Sequence, residues 1–113
     1  MSDDRLPTDI WVQAQLRRWN SDGFPAVLLR RGDPQGGAIV LKIIAADERC
    51  RILTQMRDSD GNPAWLPALQ GQSADPAEAE AYVGRALHRD PDLWVIEIED
   101  RRGLWNIDGK ILK

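Results

Sequence analysis

The chain has 113 residues, 42% of them hydrophobic and 29% charged, which is ordinary globular chemistry and too apolar for a disordered chain. Fifteen basic and eighteen acidic residues leave a net charge of −3, which argues against general nucleic-acid binding through clustered phosphate contacts. One cysteine, Cys50, excludes an intrachain disulfide, and with a single histidine, His88, no zinc site of the usual Cys/His kind can be assembled. The start of the chain lacks a basic segment followed by an apolar run, and no stretch approaches the roughly eighteen apolar residues of a membrane span. A soluble cytoplasmic domain without metal or cofactor is the expectation.

Residues 1–7 read as a leader. Thr8 is placed to cap a helix over about residues 8–21, with Asp9 in its first turn, Val12, Leu16 and Trp19 on one face, and Gly23 as the stop. Ala26–Arg31 and Ala38–Ala45 are apolar runs joined by Gly32-Asp33-Pro34-Gln35-Gly36-Gly37, the signature of a hairpin with a long loop. A reversal at Ala46–Glu48 leads into a third strand, Cys50–Met56, which alternates sides. A turn at Asp58–Asn62 precedes a short edge strand over Ala64–Leu66.

Asp75, Pro76 and Glu78 spell a capping box, and Ala79, Tyr82, Val83, Ala86 and Leu87 then recur at helical spacing up to His88 and Arg89. Leu93–Glu99 reads as a strand, Asp100–Gly103 as a turn and Leu104–Ile107 as the returning strand. The tail after Asp108-Gly109 is expected to be loosely ordered. The order α-β-β-β-(β)-α-β-β predicts one α+β domain: a single antiparallel sheet of five or six strands with both helices on one face.

Ile10-Trp11-Val12, Leu16-Arg17-Arg18, the segment from Arg30-Arg31-Gly32 to Gly36-Gly37-Ala38-Ile39, and above all Asp90-Pro91-Asp92-Leu93-Trp94-Val95-Ile96-Glu97-Ile98-Glu99-Asp100-Arg101 resemble the bacterial family known as domain of unknown function 1491. The likeness spans roughly residues 5 to 107. It implies a small, bacterial, single-domain protein and brings no functional residue with it.

No motif carries a reaction. His88-Arg89-Asp90 has the letters of a kinase catalytic loop, but Val95 stands where the asparagine is needed. Asp58-x-Asp60-Gly61-Asn62 opens like a calcium loop and lacks its late carboxylate, so a turn is the better reading. The glycine-rich stretch at 32–37 is followed by a strand rather than a helix, which makes it a turn and not a phosphate cradle. Cys50 reads as a small buried hydrophobe.

Two features point towards binding. Arginines outnumber lysines twelve to three. A basic set falls as Arg17 and Arg18, Arg30 and Arg31, and Arg49, Arg51 and Arg57. A solvated face paired with the acidic half is the favoured reading, and Arg17, Arg18, Arg30, Arg31 and Arg51 are the candidates for a face that takes a small anion or RNA. Residues 1–57 hold nine basic and seven acidic groups, residues 58–113 six and eleven. That asymmetry is able to orient a partner or to pair within the fold. Five tryptophans stand against one phenylalanine and one tyrosine. Trp19 and Trp94 are expected in the core; Trp11, Trp65 and Trp105 are candidate partner contacts, with core packing the favoured reading because a small domain needs large side chains to fill it. These features make a non-enzymatic interaction or regulatory module, docking on another protein or on a second copy, the first expectation, and an anion binder the alternative.

Overall fold

The computed structural model describes residues 7–57, 63–107 and 110–111; residues 1–6 of the expected leader, the Asp58–Asn62 turn and the Asp108-Gly109 turn lie outside them. The elements are α1 (Thr8–Ser21), β1 (Ala26–Arg30), β2 (Ile39–Ala45), β3 (Cys50–Arg57), β4 (Pro63–Pro67), α2 (Pro76–Arg89), β5 (Trp94–Asp100) and β6 (Lys110–Ile111). The class is α+β, as the patterning predicts.

The sheet is mixed rather than antiparallel. Its order is β1-β5-β2-β3-β4-β6. β5 inserts between β1 and β2, antiparallel to the first and parallel to the second, so the expected β1–β2 hairpin does not form. The reason is two-sided burial. Ile39-Val40-Leu41 and Trp94-Val95-Ile96 are buried without alternation, and such continuous apolar runs suit central strands covered on both faces.

The helices accordingly lie on opposite faces, which corrects the one-face arrangement. Ile39, Leu41, Ile43, Leu53, Ile96 and Ile98 pack with Val12 and Trp19 of α1. The intervening Val40, Cys50, Ile52 and Val95 pack with Ala79 and Ala86 of α2. Successive strand residues point to opposite faces, so these two sets define two cores.

Local chemistry sets the element ends. α1 starts at Thr8 without a side-chain cap; the Ile10 and Trp11 amides donate to the Pro7 carbonyl, and the Asp9 amide donates to that of Pro34. Gly23, at φ 91°, ends the helix. The α2 capping box is present as expected: Glu78 N donates to Asp75 Oδ1 at 2.8 Å and Asp75 N to Glu78 Oε1 at 3.4 Å.

The outer edge of β1 is sealed at its first rung. Glu99 N donates to Pro25 O, so the next residue, Ala26, turns its backbone groups away from β5. The Asn20 amide takes both, donating to Ala26 O at 2.9 Å and accepting from Ala26 N at 3.0 Å.

Leu104–Ile107 is irregular rather than a returning strand. It crosses the α1 face with Trp105 and Ile107 in the core, and the chain then adds β6 beside β4 in parallel. Between β4 and α2, Leu69, Gln70 and Gly71 have φ of 55°, 58° and 78°, a left-handed turn that two of these residues enter against Cβ sterics.

Candidate functional site

β2 and β5 are a parallel pair of interior strands, and their carboxyl ends lie side by side with Ala45 opposite Asp100. Connections leaving such adjoining ends diverge, and crevices form between them. Here a cleft of about 360 Å³ opens. Ile43, Ala45 and Trp105 supply its apolar lining; Asp47, Arg49, Arg51, Ser73 and Asp100 supply its polar groups.

Each polar wall is fixed by the backbone. The β2–β3 turn is closed by Glu48 N donating to Ala45 O and Ala45 N donating to Arg49 O, with Glu48 itself at φ 70°. Ala74 bridges Cys50 through reciprocal 2.8 Å bonds, which places Ser73 against Arg49. Arg49 Nε then donates to Ser73 Oγ at 2.9 Å and Nη2 to Ser73 O at 2.8 Å. A guanidinium has five N–H donors, so Arg49 is aimed while most of its donors stay available. Arg51, one rung further along β3 opposite Ile43, is exposed and its side chain has no hydrogen-bond or ion-pair partner among the described residues.

Asp100 is the buried charge of the site, at 9% exposure. Its Oδ1 accepts from Leu104 N at 2.9 Å and Trp105 N at 3.1 Å, and its Oδ2 takes no bond among the described residues. Trp105 is 6% exposed, and its indole N–H is a buried donor without an acceptor among the described residues. Outside the cleft, Arg101 ties the two connections together, donating to Glu48 at 2.6 Å and Glu99 at 3.0 Å. Those two carboxylates raise its already high pKa.

The predicted arginines do not share one face. Arg51 lines the cleft. Arg30 pairs in register with Val95, and Arg31 lies over the Trp94 ring at 5.3 Å. Both therefore sit at the amino ends of β2 and β5, roughly 17–20 Å from the cleft at about 3.3 Å per strand residue. Arg17 is exposed on α1, and Arg18 approaches Asp22 at 4.0 Å on the same helix. Arg49, one of the basic residues noted in the sequence, and Asp100, read there only as part of a turn, are the groups that join Arg51.

The tryptophans take the core-packing reading, and partner contact is the alternative that burial removes for Trp65 and Trp105. Trp65 is 1% exposed and Trp105 6%, so neither presents an indole to a partner, and Trp11 is half-buried against the same core. Trp65, Trp11, Trp19 and Trp105 form a continuous chain of ring contacts with centroids 5.9, 6.3 and 5.5 Å apart. The indole excess fills the α1-side core.

Cys50 faces α2 rather than the cleft, and burial raises its thiol pKa above the ordinary value. His88 is exposed at the end of α2. Among the described residues no group of three His, Cys, Asp or Glu is placed to hold a metal ion, and no helix is long and apolar enough to cross a membrane.

The model of the family described as "Protein of unknown function (DUF1491)" matches residues 6–108. The chain belongs to this family. A crystal structure of a DUF1491 family protein from Caulobacter crescentus CB15 is similar at a TM-score of 0.85 and 34% identity, covering 96% of this chain and 100% of that one. An NMR structure of a DUF1491 family protein from the same organism gives 0.82 at 34% identity, covering 96% and 97%. The solution structure of protein Atu0922 from A. tumefaciens gives 0.73 at 26% identity, covering 87% and 88%. No curated protein matches the chain. DUF1491 membership brings the fold and leaves the chemistry to be argued from the cleft.

Proposed function

We propose that this DUF1491 protein is a small, non-enzymatic, cytoplasmic binding module that holds a small anionic ligand in the cleft at the carboxyl ends of β2 and β5. The carrying observation is that Arg49 and Arg51 both line a cleft of about 360 Å³, with Arg49 already held in place by Ser73. Small-ligand sites have volumes of roughly 300–1,000 Å³, combining apolar walls with a few placed polar groups. A guanidinium fork matches a carboxylate or phosphate through charge-assisted hydrogen bonds. An enzymatic reading has no support in the geometry, since Cys50 and His88, the residues best suited to nucleophile and base, are apart from the cleft. RNA is disfavoured because Arg30 and Arg31 lie at the far end of the sheet, leaving no continuous basic track.

Docking on a protein is the second reading. Val27 and Leu29, about half exposed on the edge strand β1, favour it.

Isothermal titration with succinate and with inorganic phosphate tests the first reading. One charge-assisted bond contributes about 1.5–3 kcal/mol, so Arg51→Met is expected to weaken binding at least about tenfold. Binding of either anion with equal affinity in wild type and variant would contradict the reading.

A further inference from the structure

The cleft is not uniformly basic, and its one buried charge has the opposite sign. Asp100 is nine-tenths buried, and of its two oxygens only Oδ1 is bonded among the described residues, to the Leu104 and Trp105 amides. Asp47, on the rim, is exposed, and its Oδ1 accepts from Arg49 N. A simple anion drawn to Arg49 and Arg51 enters a cleft in which a carboxylate already stands and leaves that carboxylate without a donor. Like charges in a partly desolvated cleft oppose binding, and a simple anion offers no donor to the open Asp100 Oδ2. A ligand carrying a cationic amine beside its acidic group satisfies both signs at once.

Resting on the anion-binding reading above, the geometry points to a zwitterionic ligand: a free α-amino acid whose carboxylate is held by Arg49 and Arg51, whose ammonium donates to Asp100, and whose side chain lies on Ile43, Ala45 and Trp105. The apolar lining favours aliphatic over charged side chains. Selectivity follows from polar matching, because a site built to pair a group rejects analogues that lack it far more strongly than analogues differing by a methylene.

The test compares the twenty common amino acids with their N-acetyl and methyl-ester forms by thermal shift and calorimetry, with succinate and phosphate as anions that have no amine. The expected result is that at least one free amino acid binds ten-fold or more tightly than both of its blocked forms, and more tightly than succinate. Asp100→Asn keeps an oxygen for the Leu104 and Trp105 amides, so the connection stays closed, and it is expected to bring the free and N-acetyl forms to equal affinity. Arg51→Met, which disturbs no bonded group, is expected to weaken the free and N-acetyl forms alike. If succinate or phosphate binds and the free amino acids gain nothing over their N-acetyl forms, the zwitterion assignment is overturned while the anion site stands. If no compound in the panel binds, both fall.

Discussion

The indole N–H of Trp94 donates to the backbone carbonyl of Asp33 at 2.8 Å, across 61 positions of sequence, and this bond joins the two segments that most identify the chain. The loop holding Asp33 wraps the start of β5: Asp33 N donates to Asp92 O, and Trp94 N donates to Ala38 O. A Cβ on Gly32 or on Gly37 would lie 2.2 Å from Asp92 O and press on Trp94 Cδ1. Glycine is present at both places for close approach of two backbones rather than for turn geometry. Gly32→Ala and Gly37→Ala are each expected to destabilise by about 2–3 kcal/mol, as overpacking against backbone does. Trp94→Phe is expected to cost about 1–3 kcal/mol for the acceptor it strands and the area it loses. Urea unfolding measures all three, and a glycine variant as stable as the wild type would contradict the contact.

Gln70 offers the opposite sign. It sits at φ 58° between Leu69 and Gly71, both also left-handed, and this region costs a side-chain-bearing residue roughly 1–2 kcal/mol. Gln70 is exposed, so its side chain contributes little packing. Gln70→Gly is expected to leave stability unchanged or raise it by up to about 1 kcal/mol, once the greater freedom of glycine in the unfolded chain is counted. A loss above that size on thermal unfolding would show that the side chain matters.

Asn20 guards a sheet edge. Its amide satisfies both outward groups of Ala26, and two neutral bonds contribute roughly 1–3 kcal/mol together. Asn20→Ala is expected to lose that much stability and to expose a further rung of β1 beside Val27 and Leu29. Light scattering of the variant at rising concentration should then show association that the wild type does not. An unchanged scattering profile with unchanged stability would remove Asn20 from this role.

The Asp75 cap predicts a pH dependence. The hydrogen bond from the Glu78 amide holds the Asp75 carboxyl below its ordinary pKa. A depressed folded-state pKa contributes stability that is full above the unfolded value, near pH 4, and is lost as pH falls through the folded value. Asparagine caps nearly as well and does not titrate there. The stability difference between wild type and Asp75→Asn, followed by urea unfolding from pH 7 to pH 3, is expected to shift against the wild type on acidification. A difference constant with pH would contradict it.

Local signals in the sequence were clear wherever neighbouring residues decide the outcome. The Asp75–Glu78 cap, the Ala79–Leu87 stripe, Gly23 and the extents of β1, β2, β3 and β5 all depend on contacts within a turn or a strand. Pairing was legible only indirectly. Chain proximity suggested a β1–β2 hairpin, whereas the unbroken apolar runs at Ile39–Leu41 and Trp94–Ile96 were the sign that both strands are central. Once β5 lies between β1 and β2, alternate residues need cover on two sides, and the helices separate. Trp65 and Trp105 look like surplus aromatics in a list of residues, but not in a core where four indoles touch in series. The cleft had the weakest signal. Arg49 and Arg51 stand out by residue type among the other arginines, yet Asp100 reads as a turn residue, and only the adjoining carboxyl ends of β2 and β5 bring the three together.

The central claim is that the carboxyl ends of β2 and β5 form the binding site. Backbone amide shifts of the ¹⁵N-labelled protein, followed while the tightest-binding amino acid of the panel is added, test it directly. The account predicts saturable shifts confined to Ala45–Arg51, Ser73 and Asp100–Trp105, with Arg30 and Arg31 unmoved. Shifts centred on Arg30, Arg31 and the glycine loop, or none at any concentration reached, would contradict it.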